Sequence, residues 1–178
     1  TMKTDGIAQA MKMIQMQDDS SLVWPQQPRQ ATLRYPIWCQ GIGVHSGETC
    51  RVDVRPAGPN TGIQFFRRIG SGYHIPATYQ YASAVAMRTV IGRDHWRVET
   101  IEHLMSALNM LSIDNAEIEV SAAEVPILDG SSASFVFLLQ SAGVVLQNAP
   151  KKFIRVKKAV EVRQGEGKRL MWARLEPY

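Results

Sequence analysis

The chain has 178 residues, of which 45% are hydrophobic and 20% are charged. This composition is typical of a globular protein with a buried core, and it excludes a disordered tail or a coiled coil. The net charge of +4 favours anionic partners such as nucleotides or phosphates, and no apolar run reaches the roughly 18 residues that a membrane-spanning helix needs.

Residues 1–30 differ in character from the rest of the chain. Apolar residues at helical spacing predict a short amphipathic helix over residues 7–14, and the stretch "WPQQPRQ" ends it. We interpret residues 1–30 as a weakly ordered N-terminal extension that carries no chemistry.

Strand-like stretches follow from residue 31. "TLRYPIWC" and "TCRVDVRP" are predicted strands, and the glycine-rich "GIGVHSG" between them predicts a hairpin turn. Cys39 and Cys50 flank this turn without a C-x-x-C motif, so we expect two reduced, buried thiols near each other rather than a disulfide framework or a zinc ribbon. Further strands are predicted in "GIQFFRR", "VAMRTVI" and "HWRVET".

Two helices with a strand between them are predicted next. An apolar stripe at i, i+3, i+4 and i+7 predicts a helix over residues 100–111, and "AEIEV" alternates as a strand does. The second helix is predicted in "SSASFVFLLQSAG", with Ser131 or Ser132 as its N-cap and Gly143 at its end.

The order of these elements predicts an α+β fold. We expect a two-layer sandwich over residues 31–146, in which two helices pack on a mixed sheet. Residues 147–178 would be a linker and the start of an incomplete second domain of similar fold. "VVLQNAPKK" is typical of the linker, and strands on either side of "QGEGK" predict the first hairpin of that domain.

One dense basic cluster lies in "KKFIRVKK". Its apolar residues alternate with lysine and arginine, which predicts a strand with one solvated face. Nucleic-acid binding is the alternative explanation, and we favour the solvated strand over it. The basic residues of this cluster are Lys151, Lys152, Arg155, Lys157 and Lys158.

An adjacent glutamate and histidine begin the first predicted helix. On a helical wheel Glu102 lies on the flank of the apolar stripe and His103 lies roughly opposite the stripe, so His103 is not expected in the core of this helix. A neutral imidazole can bind a metal, and a neighbouring carboxylate can act as a general base. The alternative is a solvated surface pair, because one histidine is not a zinc site.

The other histidines give weaker indications. His45 lies in the predicted turn, where exposure on a loop is the simplest interpretation, and His74 carries no clear pattern. His95, Glu99 and His103 follow one another at intervals of four, but the strand-like "HWRV" argues against a shared helical face.

Four longer stretches together resemble a known family. "QGIGVHSGETCRVDVRPAGPNTGIQFFR", "VETIEHLMSALNMLSIDNAEIEV", "EVPILDGSSASFVFLLQSAG" and "KKFIRVKKAVEV" through "WARLEPY" are similar, in order, to the first half of UDP-3-O-acyl-N-acetylglucosamine deacetylase. The resemblance implies a zinc hydrolase of bacterial lipid A synthesis. It also implies two domains of similar layered α+β fold, with the active site between them, and a cytoplasmic location.

The resemblance also implies roles for particular residues. The T-[IV]-E-H motif of the family falls on residues 100–103, so His103 would be a zinc ligand and Glu102 the general base that activates zinc-bound water. Met87 would line the cleft for the UDP-sugar lipid substrate, although Arg88 departs from the small residues expected beside it.

The sequence lacks two of the zinc ligands that the resemblance implies. The other two family zinc ligands lie in an H-x-x-x-D motif of the second domain, and no histidine here has aspartate four residues on. We therefore expect a truncated enzyme that is inactive alone, whose remaining Zn²⁺ ligands come from a missing second domain. The alternative is a non-catalytic binding or assembly module. Self-association through the incomplete domain is expected, and neither nucleic-acid binding nor a membrane span is.

Overall fold

The computed structural model describes residues 28–67, 74–93, 96–165 and 171–177. Residues 28–151 form one compact unit, and residues 152–177 belong to a second. The helix predicted over residues 7–14 lies outside the described residues.

The first unit contains ten strands and two α-helices among the described residues. A short 3-10 turn at Tyr79–Tyr81 separates the fifth and sixth strands. In chain order the elements are β1 (Arg29–Leu33), β2 (Ile37–Ile42), β3 (Thr49–Pro56), β4 (Ile63–Arg67), β5 (His74–Pro76), β6 (Ala82–Val85), β7 (Arg88–Arg93), β8 (Trp96–Glu99), α1 (Glu102–Met110), β9 (Ala116–Val120), α2 (Ala133–Ala142) and β10 (Val144–Pro150).

The main sheet has five strands in the order β2-β3-β9-β4-β5. β9 pairs antiparallel with β3 and parallel with β4, so the sheet is mixed. Three of the five residues of β9, Ala116, Ile118 and Val120, are completely buried. These three residues alternate along the strand, so they lie on the face of the sheet that packs into the core. Two antiparallel sheets accompany it, β6-β7-β8 and β1-β10. The prediction of an α+β fold is confirmed.

Both helices contribute apolar side chains to one core. Leu104, Ala107 and Leu108 of α1 are buried, as are Phe135 and Leu139 of α2. They form a single cluster with the inward residues of the main sheet. Helix α2 ends at Gly143, whose φ of 74° is readily adopted only by glycine, as the sequence predicted.

The N-terminal end of α2 divides the predicted capping role between two serines. Ser132 occupies the N-cap position, but its side chain makes no capping hydrogen bond. The Ser131 hydroxyl instead accepts the Ala133 backbone N–H at 3.0 Å. Either serine was expected to cap the helix, and each supplies part of the cap.

Truncation of a core leucine should destabilise the first unit strongly. Leu104 has no exposed surface and packs in the main cluster, so Leu104→Ala should lower the free energy of unfolding by about 2–5 kcal/mol. Met110 lies on the same helix but is 66% exposed, and Met110→Ala should change the free energy by no more than about 0.5 kcal/mol. Urea unfolding of both variants measures the difference, and equal effects would contradict this assignment of the core.

The two cysteines lie on the adjacent strands β2 and β3, and both are free. Burial, followed by the neighbouring Cys50 and Asp53, raises the pKa of the Cys39 thiol to about 11. A thiol with this pKa stays protonated and unreactive near neutral pH. The expected pair of free thiols on neighbouring strands is confirmed, whereas full burial holds for Cys50 and Cys39 is only partly buried.

Several segments differ from their prediction, among them residues 32–39, which were expected as one strand and are divided between β1 and β2. Residues 144–150, expected as linker, form β10 and pair with β1. The polar Gln147 made the segment resemble a linker, but its side chain is hydrogen-bonded to Asn115 and to the Ala57 carbonyl oxygen. The strand predicted in "KKFIRVKK" was wrong, since residues 151–158 form no strand and the next one begins at Val160. An alternating pattern without a partner strand does not make a sheet.

The second unit contains the hairpin predicted around "QGEGK". β11 (Val160–Gln164) pairs antiparallel with β12 (Met171–Leu175). Met171, Trp172 and Leu175 are more than half exposed. That this hairpin begins a second domain remains a prediction.

Candidate functional site

The candidate site lies where β8 leads into α1. Glu102 is the first residue of α1 and His103 the second, and both are partly exposed. The buried positions of the helix begin at Leu104. The prediction that His103 lies outside the helix core is therefore confirmed.

The Glu102 carboxylate is fixed by the neighbouring sheet. Its Oε2 accepts the backbone N–H of Thr89 at 3.0 Å. The Ile101 N–H also donates to the Thr89 carbonyl oxygen, at 3.4 Å. One residue of β7 therefore binds both the backbone before α1 and the first side chain of the helix. A carboxylate held by one oxygen has a defined direction, as a general base requires.

Met87 lies beside this anchor, at the tip of the β6–β7 hairpin. The single strand predicted over residues 85–91 is interrupted here, because Met87 has a φ of 66° and turns the chain. Its side chain is 88% exposed, two residues before Thr89. The structure thus brings the Met87 turn close to the Glu102 anchor, while a contact of Met87 with substrate remains a prediction.

Arg88 is the residue that departs from the small residues expected beside Met87. Its Nε lies 2.9 Å from the Glu99 Oε2 of β8. The arginine is thus engaged in an ion pair between adjacent strands, where its charge is compensated.

Thr100 has an uncommon backbone conformation. It precedes α1 by two residues, has a φ of 57° and is 3% exposed. A β-branched residue in the left-handed region costs on the order of 1–3 kcal/mol unless its surroundings hold it there. The Thr100 hydroxyl donates to Glu124 Oε1 at 2.8 Å.

Glu124 is the functional candidate that the sequence did not reveal. It is only 2% exposed, and its carboxylate accepts the backbone N–H groups of His45 and Ser46, the latter at 2.7 Å. Burial acts to raise the pKa of Glu124, but hydrogen bonds from the Ser46 side chain and backbone, the His45 backbone and the Thr100 hydroxyl lower it to about 2. A lone glutamate in the mainly apolar "SAAEVPIL" was the available indication, since buried carboxylates are nearly always paired.

Gly43 shows how closely this carboxylate is enclosed. A Cβ built on Gly43 would lie 2.4 Å from Glu124 Oε2 and 2.5 Å from Ser46 Oγ. No side chain fits at that distance, so the turn over residues 43–46 needs glycine at its start.

Acid should remove the stabilisation that Glu124 supplies. Its folded pKa of about 2 lies below the ordinary value of 4.5, so the contribution is present above about pH 4.5 and is lost as the pH falls toward 2. The difference corresponds to about 3 kcal/mol. Urea unfolding of wild type and Glu124→Gln should show the gap in free energy between them narrowing by that amount from about pH 5 to about pH 2. A gap that does not change with pH would contradict the carboxylate's role.

The residues described in the structure do not complete a metal site. Among them there is no group of three or more histidine, cysteine, aspartate or glutamate side chains that could hold a metal ion. His74 lies in β5 with its ring 5.1 Å from that of Phe66, His45 is exposed in the β2–β3 turn, and His95 lies outside the described residues. A catalytic zinc needs about three protein ligands, and the described residues do not bring such a set together.

Comparison with known proteins gives one family. The model of the family described as UDP-3-O-acyl N-acetylglycosamine deacetylase matches residues 30–178. The match includes β1 through β12 almost entirely, and with them Glu102, His103, Thr100 and Glu124. In the part of the chain that the structure describes, no helix is long and apolar enough to cross a membrane.

Proposed function

The chain belongs to the UDP-3-O-acyl N-acetylglycosamine deacetylase family, and from this premise we propose that it supplies one wall of a zinc-dependent active site. The reaction would be removal of the N-acetyl group from UDP-3-O-(3-hydroxyacyl)-N-acetylglucosamine in lipid A biosynthesis. The observation that carries the proposal is the Glu102 carboxylate, which Thr89 fixes at the start of α1 with His103 next to it.

Glu102 would be the general base of the reaction. It would take a proton from the water that attacks the acetamide carbonyl carbon. When the carbon–nitrogen bond breaks, a proton passes to the sugar nitrogen, which leaves as the amine, and acetate is released. The Thr89 N–H holds one carboxylate oxygen, so the direction of proton transfer is set before substrate binds.

His103 would be one ligand of the zinc ion, which when bound supplies the Lewis acidity for the reaction. The remaining ligands would come from a second domain, because no described group of this chain could complete the set and no histidine of the sequence begins an H-x-x-x-D motif. On this proposal residues 28–151 alone turn over no substrate. Met87, exposed at the neighbouring turn, would contact the UDP-sugar lipid, and we propose a cytoplasmic location.

An acetate-release assay tests the proposal. The purified chain is incubated with Zn²⁺ and UDP-3-O-acyl-N-acetylglucosamine, alone and together with a polypeptide that carries the remaining ligands. We expect acetate only from the second mixture. Failure of that mixture to release acetate, with both components folded, would overturn the proposal.

A second candidate function is a non-catalytic assembly module. The exposed apolar side chains of β12 favour it, because such a surface commonly binds another polypeptide. Light scattering across a range of concentrations tests whether β12 forms such a contact. A module that self-associates through β12 should become monomeric on Trp172→Ser, whereas an assembly unaffected by this substitution argues against β12 as the contact.

A further inference from the structure

Two separate contacts fix the chain on its way into α1. The Glu99 backbone N–H donates to the Ala123 carbonyl oxygen at 2.8 Å, and the Glu99 carbonyl oxygen accepts the Val125 N–H at 3.0 Å. Glu124, which lies between Ala123 and Val125 in the chain, accepts a hydrogen bond from the Thr100 hydroxyl. Residues 123–125 therefore bind both Glu99 and Thr100, the residues that lead into the turn before α1.

The next two residues are held from another side. Ile101 and Glu102 bind the backbone of Thr89, as described above. Thr100 thus lies between two sets of hydrogen bonds that orient the start of α1. Residues 123–125 bind Glu99 and Thr100, and Thr89 of β7 binds Ile101 and Glu102. The left-handed φ of Thr100 is the bend that lets both sets form at once.

We propose that Glu124 is a positioning residue for the reactive end of α1, and that it acts by holding Thr100 in its left-handed conformation. The proposal rests on the proposed function, since it takes Glu102 and His103 to be the reacting pair. Glu124 itself would touch neither substrate nor metal.

The surroundings of Glu124 explain why it can do this. The backbone N–H groups of His45 and Ser46 hold the carboxylate, and these groups belong to a turn that Gly43 keeps in close contact. A buried carboxylate with several fixed donors does not reorient, so its Oε1 presents Thr100 with an acceptor at one place only. A threonine hydroxyl that must reach this point keeps the backbone in the strained conformation.

Hydrogen exchange at one amide reports the position of α1 independently of activity. The Thr89 N–H donates to the Glu102 carboxylate, so its protection depends on where Glu102 lies. In the 178-residue chain, Glu124→Ala, which leaves the Thr100 hydroxyl no side-chain partner at residue 124, should accelerate exchange of this amide by about tenfold, toward the rate in Glu102→Ala. The amide of Ile118, in the central strand β9, should keep its protection and shows that the fold is intact.

Two variants at Thr100 separate positioning from a general structural role. Thr100→Val keeps Glu124 and the β-branched shape but removes the hydroxyl, so it should accelerate exchange of the Thr89 amide even if Glu124→Ala does not fold. Glycine adopts the left-handed conformation without strain. Adding Thr100→Gly to Glu124→Ala should therefore restore protection of Thr89 to within about threefold of wild type. Unchanged Thr89 protection in folded Glu124→Ala and in Thr100→Val, or no rescue by glycine, would overturn the proposal.

The same variants separate this proposal from the proposed function. With the remaining zinc ligands present, Glu124→Ala should lower kcat by about tenfold and leave KM nearly unchanged, with recovery in the glycine double variant. If wild type releases no acetate but Thr89 exchange responds as expected, the deacetylase proposal fails and the positioning stands. If acetate is released and Thr89 exchange does not respond, only the positioning fails.

Discussion

Glu102→Gln should lower the kcat/KM for deacetylation by about 100- to 10,000-fold, the range that a positioned general base contributes. The measurement is acetate release from UDP-3-O-acyl-N-acetylglucosamine with the remaining zinc ligands present. The substitution changes little else, because the glutamine amide oxygen can still accept the Thr89 N–H that now binds Oε2. Only the capacity to take a proton from water is lost.

Glu117→Gln is the matched control for this result. Glu117 lies partly exposed on β9, outside the candidate site, and the same chemical change there should leave kcat/KM within about twofold. The Thr89 amide should stay protected in Glu102→Gln, which shows that the side chain has kept its position. A Glu102→Gln enzyme with nearly wild-type kcat/KM would assign the base to another residue.

The elements that could be predicted are those whose pattern is local. Glycines between two β-rich stretches predicted the β2–β3 hairpin. Apolar spacing predicted α1 and the capping serines and Gly143 predicted α2, each within two residues at both ends. The end of α2 followed from Gly143, because glycine at that point has a local backbone reason. Such features need no knowledge of what lies far away in the chain.

The missed elements depend on distant partners. β10 is a strand because β1 lies beside it, more than a hundred residues earlier in the chain. The turn at Met87 was missed because a methionine gives no sign of a left-handed φ, which neighbouring strands impose. For "KKFIRVKK" a strand was predicted where none forms. The stretch has a strand-like pattern but no strand to pair with.

In the candidate site, too, local features could be predicted and contacts between distant residues could not. Glu102 and His103 are adjacent, so their pairing at a helix start could be predicted, and resemblance gave them roles. The anchoring of Glu102 by Thr89 spans 13 residues and that of Thr100 by Glu124 spans 24, and neither follows from a local pattern. The residues that would perform the chemistry were therefore visible in the sequence, whereas the residues that hold them in place were not.

Zinc titration tests the proposed role of His103 as a zinc ligand. With the remaining ligands present, His103→Ala should weaken Zn²⁺ affinity by more than about 100-fold, since loss even of a residue that only supports a ligand costs 10- to 100-fold. The measurement is competition with a chelating indicator at neutral pH. His74→Ala is the control. His74 lies in β5 and packs against Phe66, so its loss should not affect the Zn²⁺ affinity.

The 178-residue chain alone should behave differently. One histidine cannot hold a catalytic zinc ion, so binding should be weak, and His103→Ala should leave it unchanged. Tight, stoichiometric binding that His103→Ala abolishes would show that the chain completes its own site, either by self-association or through residues outside the described part such as His95. In that case the requirement for a second domain would fall, while His103 would remain a ligand and Glu102 the base beside it.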